Sequence, residues 1–463
     1  MKHYFSITMR RSAALGLVAA VMTILSSCQY RDEDASRSDD SPLTYTLSIP
    51  ATIAVDATRA VAFNETENTC TATFTDAEHV YVYNKSEDVV MNGYLTPYDI
   101  SAGGTSCHLT GTLSDGTISA NDELILLYNL SSFSTDKNHD NYKWDNNFDY
   151  SGQNGTADGV VDGATATVIV DGYTPGGELT TSAAEFRSVQ SMFRFLFEDE
   201  DGQTISVNKL TIHSDNNVLA KRYQPLHPSY KYVPENITVN PGSATSDFLY
   251  FALCIDEDRS DGDNLVFVVE DGAGKSYMGR RDAPSGGFRN GKYYYNSSPI
   301  SLGAAPTITW TVPNYPIFPD DDKRFSIGTD DYDITLSGTS NDFQFEMNGQ
   351  GTLRFYNLTA TTDGNPFIMA GDSNNKLMLE ISGNDTIISE HPCALDYIDE
   401  LKLCGNGTLT IACVFEGYYG IYSNNYSGDN DPSTIAADGY TVTRSEKFNI
   451  GEKCAWTYTV TND

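Results

Sequence analysis

Short runs of alternating or continuous apolar residues recur along most of the chain, and they constrain its fold more than any other feature. Alternation is clear in 44–49, 80–83 and 192–197, and continuous apolar runs fill 248–255 and 265–269. Gly, Asn, Asp and Ser separate these runs, and helical periodicity is scarce. Short strands divided by turns are typical of β-sandwiches. The pattern therefore predicts an all-β protein.

The first residues predict export and a lipid anchor. Lys2, Arg10 and Arg11 precede an apolar segment, 12–25, that is too short to span a bilayer as a mature helix. The segment ends in Leu-Ser-Ser-Cys28, which is similar to the lipobox of bacterial lipoproteins. We therefore expect residues 1–27 to be a signal peptide and Cys28 to carry acyl chains such as palmitate. An ordinary signal peptide with a chance Cys is the alternative.

Charge and composition extend this interpretation to the cell surface. Residues 28–40 are polar and rich in Asp and Ser, which predicts a disordered acidic tether. Acidic residues after a lipidated Cys resemble the export signal of surface lipoproteins in some Gram-negative anaerobes. The whole chain has 29 Lys and Arg against 63 Asp and Glu, a net charge of −34, which repels nucleic acid. We expect a surface-exposed protein on the outer membrane.

The strand-rich remainder divides into three predicted blocks. Residues 41–180 and 181–303 are expected to form two β-sandwiches, and a Pro-rich linker follows at 304–325. In block 326–463, apolar runs start at Leu353, Leu377 and Leu401, each 24 residues after the previous one. A period of that length predicts stacked repeats and therefore a small β-helix. A third sandwich with accidentally even spacing is the alternative.

Residues 41–303 resemble the fimbrillins, the pilus subunits of some Gram-negative oral and gut anaerobes, and four features of the chain carry the resemblance. They are the lipobox, Thr58-Arg59-Ala60, the stretch from Asp149 to Thr156, and Phe288-Arg-Asn-Gly-Lys-Tyr-Tyr294. Near Phe74 the chain departs from the family, which often has a Trp there. The resemblance implies two transthyretin-like sandwiches, protease cleavage between Arg59 and Ala60, and donor-strand exchange with other pilus subunits. A plain surface Arg is the alternative for Arg59.

The third block implies where the subunit lies in a fimbrium and which class of ligand it binds. Because it follows the second sandwich, the chain looks like a tip or accessory subunit of a fimbrium rather than a stalk subunit. The block also resembles small β-helix modules that bind acidic polysaccharide, which implies host or dietary glycans as ligands. Only eight Lys and Arg stand against 23 Asp and Glu over 304–463, which suits a cation-bridged ligand better than direct capture of polyanions.

No motif in the sequence predicts catalysis or a resident cofactor. The His residues are scattered, and there is neither a metalloprotease motif nor a nucleophile elbow. Residues 272–276 look like a phosphate loop but are interpreted as a hairpin turn. Residues 145–149 begin like a calcium loop but lack its Gly and Glu, so Ca²⁺ is the less favoured interpretation of the acidic runs.

Cysteine usage is equally uninformative. After Cys28, seven Cys remain with no CxxC, which argues against a disulfide scaffold and a zinc ribbon, and Cys70 with Cys107 is one candidate bridge. The sequence thus predicts a non-enzymatic surface adhesin of a pilus. The alternative is an outer-membrane-anchored glycan-binding lipoprotein that does not polymerise, and a β-helix polysaccharide lyase is a third, weaker hypothesis.

Overall fold

The structure is a computed structural model that describes residues 44–463 apart from several short segments. Those segments are 55–61, 65–68, 137–142, 144, 173–177, 228–230, 259, 261–262, 311–318, 320–322, 329–331, 371–373, 416–418 and 427–430. The described secondary structure is all strand except for two short 3-10 helices, Ala157–Gly159 and Pro432–Ile435. The predicted all-β class is confirmed. Within the described residues, no helix has the length and apolarity needed to cross a membrane.

The first sandwich is built on a sheet that closes on itself. Its strands and a neighbouring hairpin are β1 (Tyr45–Ile53), β2 (Ala62–Asn64), β3 (Thr69–Thr71), β4 (Val80–Asn84), β5 (Val89–Val90), β6 (Asn92–Tyr98), β7 (Ser106–Ser114), β8 (Glu123–Tyr128), then, after β9 (Phe148–Asp149), β10 (Ala164–Gly172), β11 (Glu178–Thr181) and β12 (Ala184–Ser188). Among the described residues, β2 and β3 pair only with each other. The others follow the order β11-β1-β12-β10-β8-β4-β6-β7, with β5 beside β4, and a β1–β7 pairing closes the ring.

The second sandwich has two separate sheets. Its strands are β13 (Ser191–Phe195), β14 (Phe197–Asp199), β15 (Val207–Ser214), β16 (Leu219–Tyr223), β17 (Tyr232–Pro234), β18 (Ile237–Val239), β19 (Leu249–Ile255), β20 (Asn264–Asp271), β21 (Ser276–Asp282), β22 (Tyr293–Tyr295) and β23 (Ile300–Ala305). One sheet runs β17-β16-β19-β13-β22, and the other runs β14-β23-β21-β20-β15-β18. Aromatic rings fill the space between them, with Phe193 stacked on Phe251 at 5.4 Å and Phe195 edge-on to Phe267 at 5.7 Å.

One segment of the predicted first block lies on the second sandwich. β9 pairs with β16, and Tyr150 packs into the second core. The side chain of the buried Gln153 bridges to β19, where it donates to the carbonyl oxygen of Ala252 at 2.9 Å and accepts from the Ala252 amide at 2.6 Å. The chain therefore contributes this segment to the second sandwich before β10 returns to the first. Local sequence does not encode this crossing. The predicted domain limits stay a prediction.

The third block is a solenoid with parallel rungs. Its strands are β24 (Thr307–Trp310), β25 (Arg324–Ile327), β26 (Tyr332–Asn341), β27 (Gln344–Met347), β28 (Gln350–Thr362), β29 (Ile368–Ala370), β30 (Lys376–Ser389), β31 (Leu395–Ile398), β32 (Glu400–Cys413), β33 (Ile421–Ser423), β34 (Tyr440–Arg444), β35 (Phe448–Ile450) and β36 (Lys453–Asn462). The long strands β26, β28, β30 and β32 stack in parallel, and so do the short strands β25, β27, β29, β31 and β33. The predicted β-helix is confirmed.

The register of the rungs differs from the predicted 24-residue alignment. Leu353 lies beside Leu379, whereas Leu377 lies beside Leu401. The first of these steps is two residues longer than predicted, because the connection from β28 through β29 to β30 is longer than the connection from β30 through β31 to β32. A slip of two residues keeps every side chain on the same face of a strand, so the apolar pattern alone cannot distinguish the two registers.

Antiparallel strands cover both ends of the solenoid. β24 pairs with β26 at one end, and β36 pairs with β32 at the other. Only Pro306 separates β24 from β23 of the second sandwich, and Val266, Met278 and Ala305 join the apolar core of the solenoid. Part of the segment predicted as a linker, 304–325, is therefore strand. Covered ends are what a stacked-repeat fold needs, since an open rung exposes unpaired backbone.

Candidate functional site: a strand groove and a cleft on the solenoid

β1 occupies the centre of the first sandwich with neighbours on both edges. On one side it runs antiparallel to β7 from Tyr45 to Thr52. On the other side its first half is parallel to β11 and its second half is parallel to β12. β1 therefore fills a groove that is bounded by two strand edges, and removing it would leave both edges without their backbone partners.

The side chains of β1 also fill the core beneath that groove. Tyr45, Leu47, Ile49 and Ala51 are buried, and none is more than 2% exposed, while Thr46 and Pro50 between them face solvent. The hydroxyl of Tyr45 accepts a hydrogen bond from the amide of Ile118 at 3.2 Å. This alternation confirms the one predicted for 44–49 and extends it to Ala51. Leu43, which the sequence places in the same row, lies outside the described residues.

The predicted site residues lie beyond the two ends of β1. Cys28 falls in the part of the chain before residue 44, and Arg59 and Ala60 fall in 55–61, so all three lie outside the described residues. Their roles stay predictions. β1 is followed by Ala54, whose amide donates a hydrogen bond to the backbone carbonyl oxygen of Phe186 at 2.9 Å. A cut between Arg59 and Ala60 would therefore leave all of β1 on the upstream fragment.

β36 has no edge available for donation. It pairs with β32 along one edge and with β34 and β35 along the other. Its side chains Trp456, Tyr458 and Val460 belong to the solenoid core. Withdrawing β36 would uncover that end of the solenoid, so this strand is a structural cap.

A cleft of about 480 Å³ lies on the outer face of β28, β30 and β32. Stacking across the rungs aligns Thr352 with Met378 and Lys402, and Arg354 with Glu380 and Cys404. Residues 437–440, which include Asp438 and Tyr440, form the wall. The sequence does not reveal this site, because its residues on neighbouring rungs are more than twenty positions apart and meet only through the rung register.

Ion pairs and hydrogen bonds fix the charged groups of the cleft. The Nε of Arg354 donates to the carboxylate of Glu380 at 2.7 Å, and its Nη1 donates to Asp333. The Nζ of Lys402 donates to the backbone carbonyls of Thr434 and Ala436, both at 3.2 Å. These contacts hold two cationic side chains in place beside carboxylate acceptors.

The Cys404 thiol in the cleft is not activated. Burial raises its pKa, nearby Glu380 raises it further, and Arg354 opposes the shift. A thiol in this environment is a poor nucleophile at neutral pH. The cleft therefore offers a surface for binding and no evident cysteine chemistry.

Exposed tyrosines lie on two faces of the solenoid. Tyr356, two residues after Arg354 on β28, is 57% exposed. Tyr397 on β31 is 64% exposed, has a positive φ of 56°, and meets Tyr422 edge-to-face at 6.0 Å. Exposed aromatic rings provide flat apolar area beside polar groups, as sugar rings require.

The segments considered for phosphate and calcium have structural roles. Residues 272–276 form the turn of the β20–β21 hairpin, where the Asp271 carboxylate accepts from the amides of Ala273 and Lys275, both at 2.8 Å. The Asp149 carboxylate is engaged by Arg222 at 2.9 Å. Among the described residues, no group of three or more His, Cys, Asp or Glu is arranged to hold a metal ion.

The folded chain combines two β-sandwiches, a strand-filled groove and a capped β-helix, and solved structures with fimbrial and adhesin names resemble it. A fimbrial assembly protein from Parabacteroides distasonis is 14% identical, with a TM-score of 0.29, covering 55% of this chain and 90% of its own. A candidate adhesin from Bacteroides ovatus is 11% identical, with a TM-score of 0.31 and coverages of 64% and 100%. Another from the same species is 11% identical, with a TM-score of 0.32 and coverages of 61% and 92%.

At TM-scores of 0.29 to 0.32 this likeness carries no weight on function. No protein-family model and no curated protein matches the chain.

Proposed function

We propose that this chain is a surface-exposed, non-enzymatic fimbrillin-like lipoprotein. It acts as a tip or accessory subunit of a pilus, accepts a strand from another subunit, and mediates adhesion through its solenoid. The observation that carries the proposal is the contrast between two strands. β1 fills a groove between two strand edges and lies upstream of the predicted cut after Arg59, which would disconnect it, whereas β36 is paired along both edges and belongs to the solenoid core. A subunit of this kind accepts a strand through the β1 groove and does not donate β36.

The energetics favour replacement of β1 over an empty groove. Burying one large apolar side chain is worth roughly 1.5–3 kcal/mol, so Tyr45, Leu47 and Ile49 together stabilise the sandwich by roughly 4–9 kcal/mol gross. The backbone groups of β7, β11 and β12 that face β1 would lose their partners as well. A strand from a second subunit restores both contributions. In this proposal the lipid on Cys28 holds the subunit on the outer membrane until cleavage after Arg59 releases it.

The experiment is strand exchange on the purified chain. Limited digestion with a trypsin-like protease cuts after Arg59, and a fluorescent peptide of residues 43–55 serves as the incoming strand. We expect the cut chain to take up the peptide, measured by fluorescence anisotropy, and the uncut chain to exclude it. Arg59→Gln is the matched control, because it should resist this cut and take up no peptide under the same digestion. A cut chain that retains its own β1 and excludes the peptide would refute strand exchange.

The cleft beside Arg354 and Lys402 is the adhesive surface in this proposal. Its carboxylates at least balance its cations, so it should repel a polyanion and suit a neutral or mixed-charge glycan. Arg354→Gln should weaken binding of such oligosaccharides on a glycan array. Arg324→Gln is the control, since Arg324 pairs with Glu346 at 3.6 Å on the short-strand face. Equal effects of the two substitutions would mean that the cleft is not the binding surface.

The anchored glycan-binding lipoprotein remains the second candidate, and the cleft is the observation that favours it. The cleft is built from the solenoid alone and does not depend on whether β1 is replaced. Glycan binding without peptide exchange after cleavage would select this candidate. Peptide exchange in the cut chain would select the pilus subunit.

A further inference from the structure

Two cysteines face each other across the capped end of the solenoid. Cys413 is the last residue of β32, Cys454 is near the start of β36, and the two are directly opposite in the antiparallel register. The preceding pairs in that register, Ile411 with Trp456 and Leu409 with Tyr458, are all buried. Because side chains alternate along a strand, Cys413 and Cys454 share the inward face with these pairs.

This placement is within reach of a disulfide. Directly opposite residues in an antiparallel pair have Cβ atoms about 4.5–5.5 Å apart, and a disulfide needs about 3.5–4.5 Å. The Cys413 thiol donates instead to the carbonyl oxygen of Phe415 at 3.2 Å. Rotating this side chain about χ1 would break this weak hydrogen bond and redirect the sulfur.

We propose that Cys413 and Cys454 are an oxidative modification site, and that they form a disulfide which fastens β36 to β32. Formation of the disulfide in the cell rests on the export proposed above, whereas the thiol–disulfide exchange itself does not. The oxidant is a protein or small-molecule disulfide. It forms a mixed disulfide with one cysteine and releases one thiol, and the other cysteine then attacks and releases a second thiol. Each cysteine gives up its proton, and the two electrons reduce the oxidant's S–S bond.

Exposure decides the order of the two steps. Cys454 is partly exposed, whereas Cys413 is fully buried, so the external disulfide reacts first at Cys454. Burial raises the pKa of the Cys413 thiol to about 11, so only a small thiolate fraction is present at neutral pH. That fraction grows roughly tenfold per pH unit below the pKa, and closure should accelerate accordingly.

Cys393 is the competing partner. It is buried at the turn before β31, and its thiol and that of Cys413 interact electrostatically. It is not a register partner of Cys413, because β32 pairs with β30 and β36. A bond between Cys393 and Cys413 would leave β36 without its link.

The disulfide has a mechanical consequence. It closes the segment from 413 to 454, which contains β33, β34 and β35, and it ties the capping strand to the last long rung. Unfolding of that end would then require the linked strands to separate together. A subunit that bears load through bound ligand would retain its cap under tension.

The test uses the purified full chain and oxidised glutathione at mildly alkaline pH. We expect intact mass to fall by about two units per disulfide, a peptide map to join the two peptides that carry Cys413 and Cys454, and the urea midpoint of the solenoid to rise and return with dithiothreitol. Cys454→Ala should abolish the mass loss, the joined peptides and the rise in the urea midpoint, whereas all three should persist in Cys393→Ala. A Cys393–Cys413 link, stable glutathione on Cys454 with no closure, or an unchanged midpoint would each overturn the proposal. None of these readouts involves β1, so failure here leaves the strand-exchange test unaffected.

Discussion

Replacing Leu47 by Ala should loosen β1 far more than any change on the exposed face of the same strand. Leu47 is fully buried, and its register partners are Gly111 on β7 and Leu179 on β11. Gly111 offers no side chain to fill the space, so truncation should leave a cavity. A Leu→Ala change in such a core costs about 2–5 kcal/mol. Thr46→Ala is the matched control, because Thr46 faces solvent one residue earlier.

Two measurements check this expectation. In the intact chain, urea unfolding followed by fluorescence should show a lower midpoint for the transition of the first sandwich in Leu47→Ala and little change in Thr46→Ala. In the cut chain, β1 is held without a covalent link, and a cost of about 2 kcal/mol corresponds to roughly 30-fold weaker retention. A 43–55 peptide carrying the same Ala should therefore compete about 30-fold less well. Equal effects of Leu47→Ala and Thr46→Ala would refute the inference that β1 fills the groove through its buried row.

Four further outcomes are expected, two from the structure and two from the sequence. Burial raises the pKa of Asp385 to about 6, so the folded state holds this proton more tightly than the unfolded state. The free energy of unfolding should therefore fall by up to about 3 kcal/mol as the pH rises from about 4 to above 6. Asp385→Asn should flatten that part of a profile of melting temperature against pH. Gly405 has a φ of 101°, and a Cβ there would lie 2.3 Å from a backbone oxygen of the neighbouring rung. Gly405→Ala should therefore lower the free energy of unfolding in urea by about 1–3 kcal/mol. This cost should exceed that of Gly364→Ala, because a Cβ at Gly364 would meet open space. Limited proteolysis should cut within 304–325, and a resistant product spanning it would contradict that expectation. Cys28→Ala should abolish incorporation of labelled fatty acid, and retained label would overturn the lipid anchor.

Asp385 also shows how a polar residue can be explained only by the fold. It is 1% exposed, and its carboxylate accepts from the amide of Leu358 at 2.7 Å. The register between β28 and β30 shifts next to Leu358, which leaves that amide without a strand partner there. The sequence shows only an Asp after a Gly-Asn turn. The adjacent rung supplies the donor that accounts for its burial, because a buried carboxylate needs hydrogen-bond partners.

The sequence by itself determined the fold class, most of the strands named from it, the alternation of β1 and the stacked repeats of the third block. These features are local, because they depend on which side chains alternate and where the chain can turn. The tertiary structure decided which strands pair and which residues meet. It paired β9 with the second sandwich, set Leu353 beside Leu379, brought Arg354 to Glu380, and placed Cys413 opposite Cys454. Strand pairing joins residues far apart in the chain, and a shift of two residues leaves the apolar pattern unchanged, so only the packed structure selects the register that builds the groove and the cleft.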